Sequence, residues 1–141
     1  MKQFFDTSVL LAAFLEDEPR HEACASALAS AANGCAYLHA LAECFSILTG
    51  GRLSVRLSAL DAVELIEANI VERLEVITLT PKETTTALRK CQSAGVRGGG
   101  IFDFLHLTAA RKFAADEILT LNVRHFLAFA PDLLGQIKTP S

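Results

Sequence analysis

Tryptophan is missing from this 141-residue chain, tyrosine occurs only at position 37 and methionine only at position 1. The nine phenylalanines read mostly as core, so platforms for stacking on nucleic-acid bases look sparse. The four cysteines, Cys24, Cys35, Cys44 and Cys91, form no CxxC pair and no dense framework, which excludes a disulfide-stapled scaffold. They read as small core residues of a reducing compartment, and combining them with His21 and His39 matches no zinc-ligand spacing. No apolar run approaches the ~18 residues of a membrane span. The opening MKQFFDTSVLLAAFLEDEP imitates a signal peptide, but Asp6 interrupts it and Glu16, Asp17 and Glu18 stand where a small-residue cleavage site belongs. A soluble, cytoplasmic protein with no membrane partner is the expectation. Positive charge is not in excess either: 13 Lys and Arg against 16 Asp and Glu give −3. That argues against holding nucleic acid by bulk charge, though not against an enzyme that cuts it.

What is present is core material. Hydrophobic residues make up 51% against 21% charged, enough for one domain over residues 1–141. Period and punctuation alternate strand with helix. Lys2 to Phe5 reads as a strand, Asp6-Thr7-Ser8 as caps and Val9 to Glu16 as a helix. Then follow a helix His21–Ala32, a strand Cys35–Leu38 and a helix His39–Leu48. After Ser58-Ala-Leu-Asp61, which resembles a capping box, Leu60, Val63, Ile66, Ile70 and Leu74 recur at helical spacing. Asp61, Glu64 and Glu67 fall on its other faces. The chain continues with a strand Leu74–Leu79, a helix from Pro81 to Ser93, the glycine-rich Gly95–Gly100 and a helix Phe102–Ala115. Glu117–Leu121 is a fourth strand, Val123–Phe129 a short helix and Leu133–Ile137 a fifth strand. Such alternation predicts an α/β fold, three-layered, with a central parallel sheet of four to five strands. Its site should lie beyond the carboxyl ends of the strands, where strand order reverses.

Charge is conspicuously missing around three acids. Asp6 is the only charge between Lys2 and Glu16, Glu43 the only one between Glu22 and Arg52, and Asp103 the only one between Arg97 and Arg111. A buried lone carboxylate costs several kcal/mol unless paired or metal-bound. None of the three has a basic residue within a helical turn. Asp6 follows the first strand, Glu43 lies in the first turns of the helix after the second and Asp103 begins the helix before the fourth, so all three can meet at one sheet edge. A hard divalent cation would relieve their repulsion. Helix capping explains Asp6 and Asp103 equally well, and Asp132, also isolated, sits in plain Pro-Asp turn chemistry.

The blocks FFDTSVLLA, HALAECFSILTGG, GGGIFDFLHLTAARKFAADEILTLNVRHF and the closing PDL resemble a PIN-domain ribonuclease, and within that family the VapC-type toxins of toxin–antitoxin pairs. The resemblance covers essentially the whole chain. It implies a PIN-like α/β/α fold, Mg²⁺- or Mn²⁺-dependent RNA cleavage, a homodimer, and a small antitoxin that blocks the site and brings the toxin to DNA. It places Asp6, Glu43 and Asp103 on the metal-site positions. Asn122 stands where a fourth acid is often found, which favours one well-bound Mg²⁺ over two. The implied chemistry is phosphodiester hydrolysis by a metal-activated water, leaving a 5′-phosphate and a 3′-hydroxyl. Thr7, Ser8 and Thr120 offer hydroxyls that orient Asp6, bind phosphate or merely cap helices. Arg97, Arg124 and His125 are expected to border the site and hold RNA phosphates, with surface ion pairs as the alternative. His106 shares the helix face of Asp103 and is expected to pack or orient rather than catalyse.

Other classes fit less well. A haloacid-dehalogenase-type phosphatase needs a second Asp where Ser8 stands, and a receiver domain needs an acidic pair that is absent. The glycines at 95, 98, 99 and 100 form neither GxGxxG nor a Walker loop. A non-catalytic PIN-like RNA- or protein-binding module and a PIN nuclease of RNA maturation remain as alternatives, the former because of Asn122.

Overall fold

The computed structural model describes residues 1–51 and 56–141. Five strands, β1 (Gln3–Phe5), β2 (Gly34–Tyr37), β3 (Glu75–Ile77), β4 (Glu117–Leu119) and β5 (Ile137–Lys138), form one all-parallel sheet in the order β3-β2-β1-β4-β5. The helices are α1 (Thr7–Phe14), α2 (His21–Ser30), α3 (His39–Thr49), α4 (Ala59–Ile66), α5 (Pro81–Ala94), α6 (Gly100–Phe113) and α7 (Val123–Phe129).

Two cores follow from the period of two in a strand. Phe4 and Phe5 are both fully buried but belong to opposite faces. Phe5, with Ala36 and Leu119, packs against Val9, Cys24 and Leu48 on the side of α1 to α4. Phe4, with Cys35 and Ile118, packs against Leu107, Ala110 and Phe126 on the side of α6 and α7. A sheet buried on both faces needs apolar residues in succession, as parallel strands usually show. Burial pushes the Cys35 and Cys44 thiols up to about 12, so they behave as small hydrophobes. Among the described residues no helix is long and apolar enough to cross a membrane.

Strand order reverses at β1. The chain builds outward from β1 through β2 to β3, then returns to lay β4 on the other flank of β1. The carboxyl ends of β1 and β4 therefore form the topological switch point. Register aligns Phe5 with Leu119, which sets Asp6 beside Thr120. Two glycines shape the approach to α6: Gly95 ends α5 at φ +74°, and a Cβ on Gly100 would stand 3.0 Å from the Phe129 ring.

Three sequence expectations shift. The first helix begins at Thr7, so Thr7 and Ser8 are its first residues rather than caps before it. The fifth strand lies at Ile137–Lys138, because Pro131–Leu133 closes a 3₁₀ turn instead. Asp132 sits in that turn as expected and accepts two bonds from Arg111, at 2.8 and 2.9 Å. In α4 the Ser58 hydroxyl accepts from the Asp61 N–H at 3.1 Å, as the capping pattern implies. Leu60 and Val63, however, are 67% and 39% exposed. The buried positions are Ala62, Ile66, Ile70 and Leu74, and a π-helical turn at Glu67–Val71 continues the helix. Ala62 lies four residues before Ile66 in the regular α-helix and shares its face, whereas Leu60, six before, does not, and the wider turn carries the spacing of four on to Ile70 and Leu74.

The register of α4 is testable by urea unfolding. Ile70→Ala should cost about 2–5 kcal/mol, and Leu60→Ser less than about 0.5 kcal/mol. Comparable losses at both positions would restore the simpler periodicity.

Candidate active site

At the switch point, Asp6, Glu43, Asp103 and Asn122 line one open cavity of about 480 Å³, together with Thr7, Ser8 and His39. Each acid arrives from a different element. Asp6 leaves β1 at the N-terminus of α1, Glu43 lies in the second turn of α3 and Asp103 in the first turn of α6. The exposed Asn122 precedes α7 just past β4.

Asp6 is only 3% exposed. It occupies the N-cap position of α1, yet its side chain makes no capping bond. Instead its Oδ2 accepts from Ser8 Oγ at 2.7 Å and from the fully buried Thr120 Oγ1 at 2.9 Å. Those hydroxyls are themselves fixed: Ser8 Oγ accepts from the Leu121 N–H at 3.0 Å, and Thr120 Oγ1 from the Asn122 N–H at 3.0 Å. Orienting Asp6, not capping, is what the Ser8 and Thr120 hydroxyls do.

Glu43 is held from the other side. His106, 1% exposed, lies with Nε2 at 2.6 Å from Glu43 Oε1, and the Thr7 hydroxyl donates to the same oxygen at 3.1 Å. Since a carboxylate only accepts, Nε2 carries a proton. The other ring nitrogen, Nδ1, has no hydrogen-bond partner among the described residues and faces Asp6 Oδ1 at 4.0 Å. Tyr37 meets the imidazole edge-on at 5.4 Å and 84°. Burial alone would lower the His106 pKa, but the Glu43 bond and the charges of Asp6, Glu43 and Asp103 hold it above its ordinary value. Burial also works against the Glu43 carboxylate, yet His106 and Thr7 outweigh it and bring its pKa below normal. Asp103 goes the other way, raised by burial and by neighbouring Asp6.

The structure brings Asp6, Glu43 and Asp103 into one cavity and sets the Ser8 and Thr120 hydroxyls on Asp6, but three features escaped the sequence. The His106–Glu43 bond joins residues 63 apart, and only the shared face with Asp103 pointed toward it. Thr7 serves Glu43 rather than Asp6. The cavity-lining His39 stacks on Phe102, with ring centroids 5.2 Å apart and planes 9° from parallel. Of the basic candidates, Arg97, Arg124 and His125 are all exposed and none lines the cavity. The charge of His125 does reach Asp103.

By donor chemistry the site suits a hard divalent cation: three carboxylates and an amide, with no Lys or Arg in the described lining. The Asp103 pKa is raised first by burial and then by the charge of Asp6, and a cation at the carboxylates would oppose both effects. Among the described residues no three acids, His or Cys are gathered into a preformed ligand set. Glu43 is turned toward His106 instead. A second cavity, about 680 Å³, has apolar Phe14, Leu15, Leu48 and Leu65 beside acidic Glu18 and Asp61.

The sequence matches the PIN domain over residues 4–130. A comparison with curated proteins finds no significant match. Among solved structures, the Mycobacterium tuberculosis toxin VapC20, which cleaves the sarcin–ricin loop, is 20% identical with a TM-score of 0.67, over 82% of this chain and 86% of that one. VapBC2 of Rickettsia felis, bound to a DNA fragment from its promoter, is 15% identical with a TM-score of 0.68, over 100% of both. VapBC-1 of nontypeable Haemophilus influenzae is 19% identical with a TM-score of 0.65, over 99% and 98%. At these identities the likeness is one of fold. The family match spans all three acids and the switch point that gathers them, and the chain belongs to the PIN-domain family.

Proposed function

We propose that this protein is a divalent-cation-dependent endoribonuclease and the toxin of a toxin–antitoxin pair. The observation that carries the reading is the meeting of Asp6, Glu43 and Asp103, far apart in sequence, in one cavity at the switch point of a PIN fold. Asp6, Asp103 and Glu43, the last directly or through water, would hold Mg²⁺ or Mn²⁺, which supplies Lewis acidity toward the phosphodiester and its attacking water. Asn122 adds an oxygen without charge, which suits one ion better than two.

The chain's own residues set the geometry. Ser8 and Thr120 fix Oδ2 of Asp6, while His106 and Thr7 fix Oε1 of Glu43. Oε2 of Glu43 takes no hydrogen bond among the described residues, which leaves it to receive the proton of the attacking water. Exposed Arg97, Arg124 and His125 remain candidates to hold flanking phosphates. The second cavity, apolar with an acidic rim, suits a basic amphipathic segment of an antitoxin. A homodimer, implied by the family resemblance, belongs to the same reading. Asn122 is the observation that favours a non-catalytic PIN module instead, and one assay separates the two.

Purified protein with Mn²⁺ should cut total RNA to 5′-phosphate ends. Asp6→Asn and Asp103→Asn should lose at least about 100-fold in rate while circular dichroism stays unchanged. Absence of cleavage by the wild type would decide for the binding module.

His106→Leu should keep the fold and lower kcat about tenfold or more, since Glu43 loses its orientation. In a Glu43→Gln background the same change should have no further effect on kcat. Additive losses would reduce His106 to packing.

The raised pKa of Asp103 makes its ionised form unfavourable in the cation-free fold. Wild-type stability should therefore decline as pH rises from the ordinary carboxylate range through the folded pKa. Asp103→Asn should have the higher Tm at pH 7 without cations, and the gap should close in acid. Mg²⁺ should raise the Tm of the wild type more than that of the variant. An equal Tm for both proteins at pH 7 would contradict this assignment.

A further inference from the structure

The rim of the cavity carries a feature that phosphodiester hydrolysis itself does not require. His39 opens α3 one helical turn before Glu43 and lines the cavity. Phe102 immediately precedes Asp103 in α6. Their rings lie nearly parallel, 9° apart with centroids at 5.2 Å, and Phe102 is still 47% exposed. The other ring contacts around the site, Phe4 and Tyr37 on His106 and Phe104 on Phe129, meet edge-on. One ring of the pair, His39, lines the cavity of the acids, and the other, Phe102, next to Asp103 in sequence, presents a half-exposed aromatic surface to solvent.

Electrostatics explain why such a surface matters here. The described lining of the cavity holds three carboxylates and no Lys or Arg, and the whole chain carries −3. Counterion release, the usual source of affinity for a polyanion, is weak for such a surface. Base stacking does not depend on that charge and accepts any base. We propose that the His39–Phe102 pair is a base-stacking subsite, taking an unpaired nucleobase next to the phosphodiester held at Asp6, Glu43 and Asp103. A base inside a duplex already has both faces covered, so the subsite selects single-stranded or looped RNA. The proposal rests on the ribonuclease reading.

The test uses a short single-stranded RNA carrying 2-aminopurine, whose fluorescence is quenched on stacking, bound to the cleavage-deficient Asp6→Asn protein. Quenching should occur on binding, persist in Asp6→Asn/Phe102→Tyr and vanish in Asp6→Asn/Phe102→Leu, with a rise in Kd of about tenfold. In the otherwise wild-type protein, Phe102→Leu should raise KM for a looped RNA by a similar factor. Unchanged quenching and KM in the Leu variants would overturn the subsite while leaving RNA cleavage standing. A change of mass by light scattering in Phe102→Leu, without those effects, would make the ring a contact between copies and also overturn it. If the wild type cuts no RNA with Mn²⁺, the ribonuclease reading falls, and the subsite falls with it.

Discussion

A carboxylate that is 3% exposed has to be solvated by the protein around it, and the switch-point architecture follows from how Asp6 meets that requirement. Left alone, its burial would cost several kcal/mol. Two hydroxyls accept the task, and each comes from the region where β1 and β4 run side by side. Ser8 and Thr120 are in turn bonded to the N–H groups of Leu121 and Asn122. The same contacts that make the charge tolerable therefore tie the start of α1 to the end of β4. A hydrogen bond to a charged group contributes about 1.5–3 kcal/mol, so this link also fastens the sheet at the point where its strand order turns.

Glu43 and His106 solve the neighbouring problem differently. The imidazole is buried among three carboxylates, and its raised pKa follows from their charge rather than from exposure. It spans the gap between Glu43 and Asp6, bonded to the first at 2.6 Å and facing the second at 4.0 Å. Among the described residues no such bond is seen at Asp103, and its carboxyl is pushed up while that of Glu43 is drawn down. Three acids of one cavity thus differ in character because their donors differ.

Much of this was legible before any coordinates. Charge-poor stretches exposed Asp6, Glu43 and Asp103 because an unpaired acid in an apolar context needs a reason. Alternation of strand and helix gave the parallel sheet, since each element's period is local. What stayed hidden depends on contacts distant in sequence: Thr7 and His106 on Glu43 are 36 and 63 residues away from it. The basic residues show another limit of sequence reading. Arg97 and Arg124 are close to site blocks in sequence, yet stand outside the cavity lining, because an exposed side chain follows solvent rather than the strand ends. Leu60 misled for a third reason, since the buried face of α4 is set by Ala62 and Ile66, four residues apart, and a small alanine is easily passed over for a leucine.

The hydroxyl donors on Asp6 and the imidazole on Glu43 have one more consequence. Two of the three acids take hydrogen bonds from the chain itself, so on the proposed reading the fold stands without an ion as scaffold, unlike small domains that unfold when their metal is withdrawn. On the proposed reading the cation is a reagent that comes and goes. The supply of free magnesium then governs how fast the protein cuts, while its binding adds only a margin to the stability of a chain already folded. Starving the cell of the ion would silence the enzyme and leave it intact, ready to resume when the ion returns.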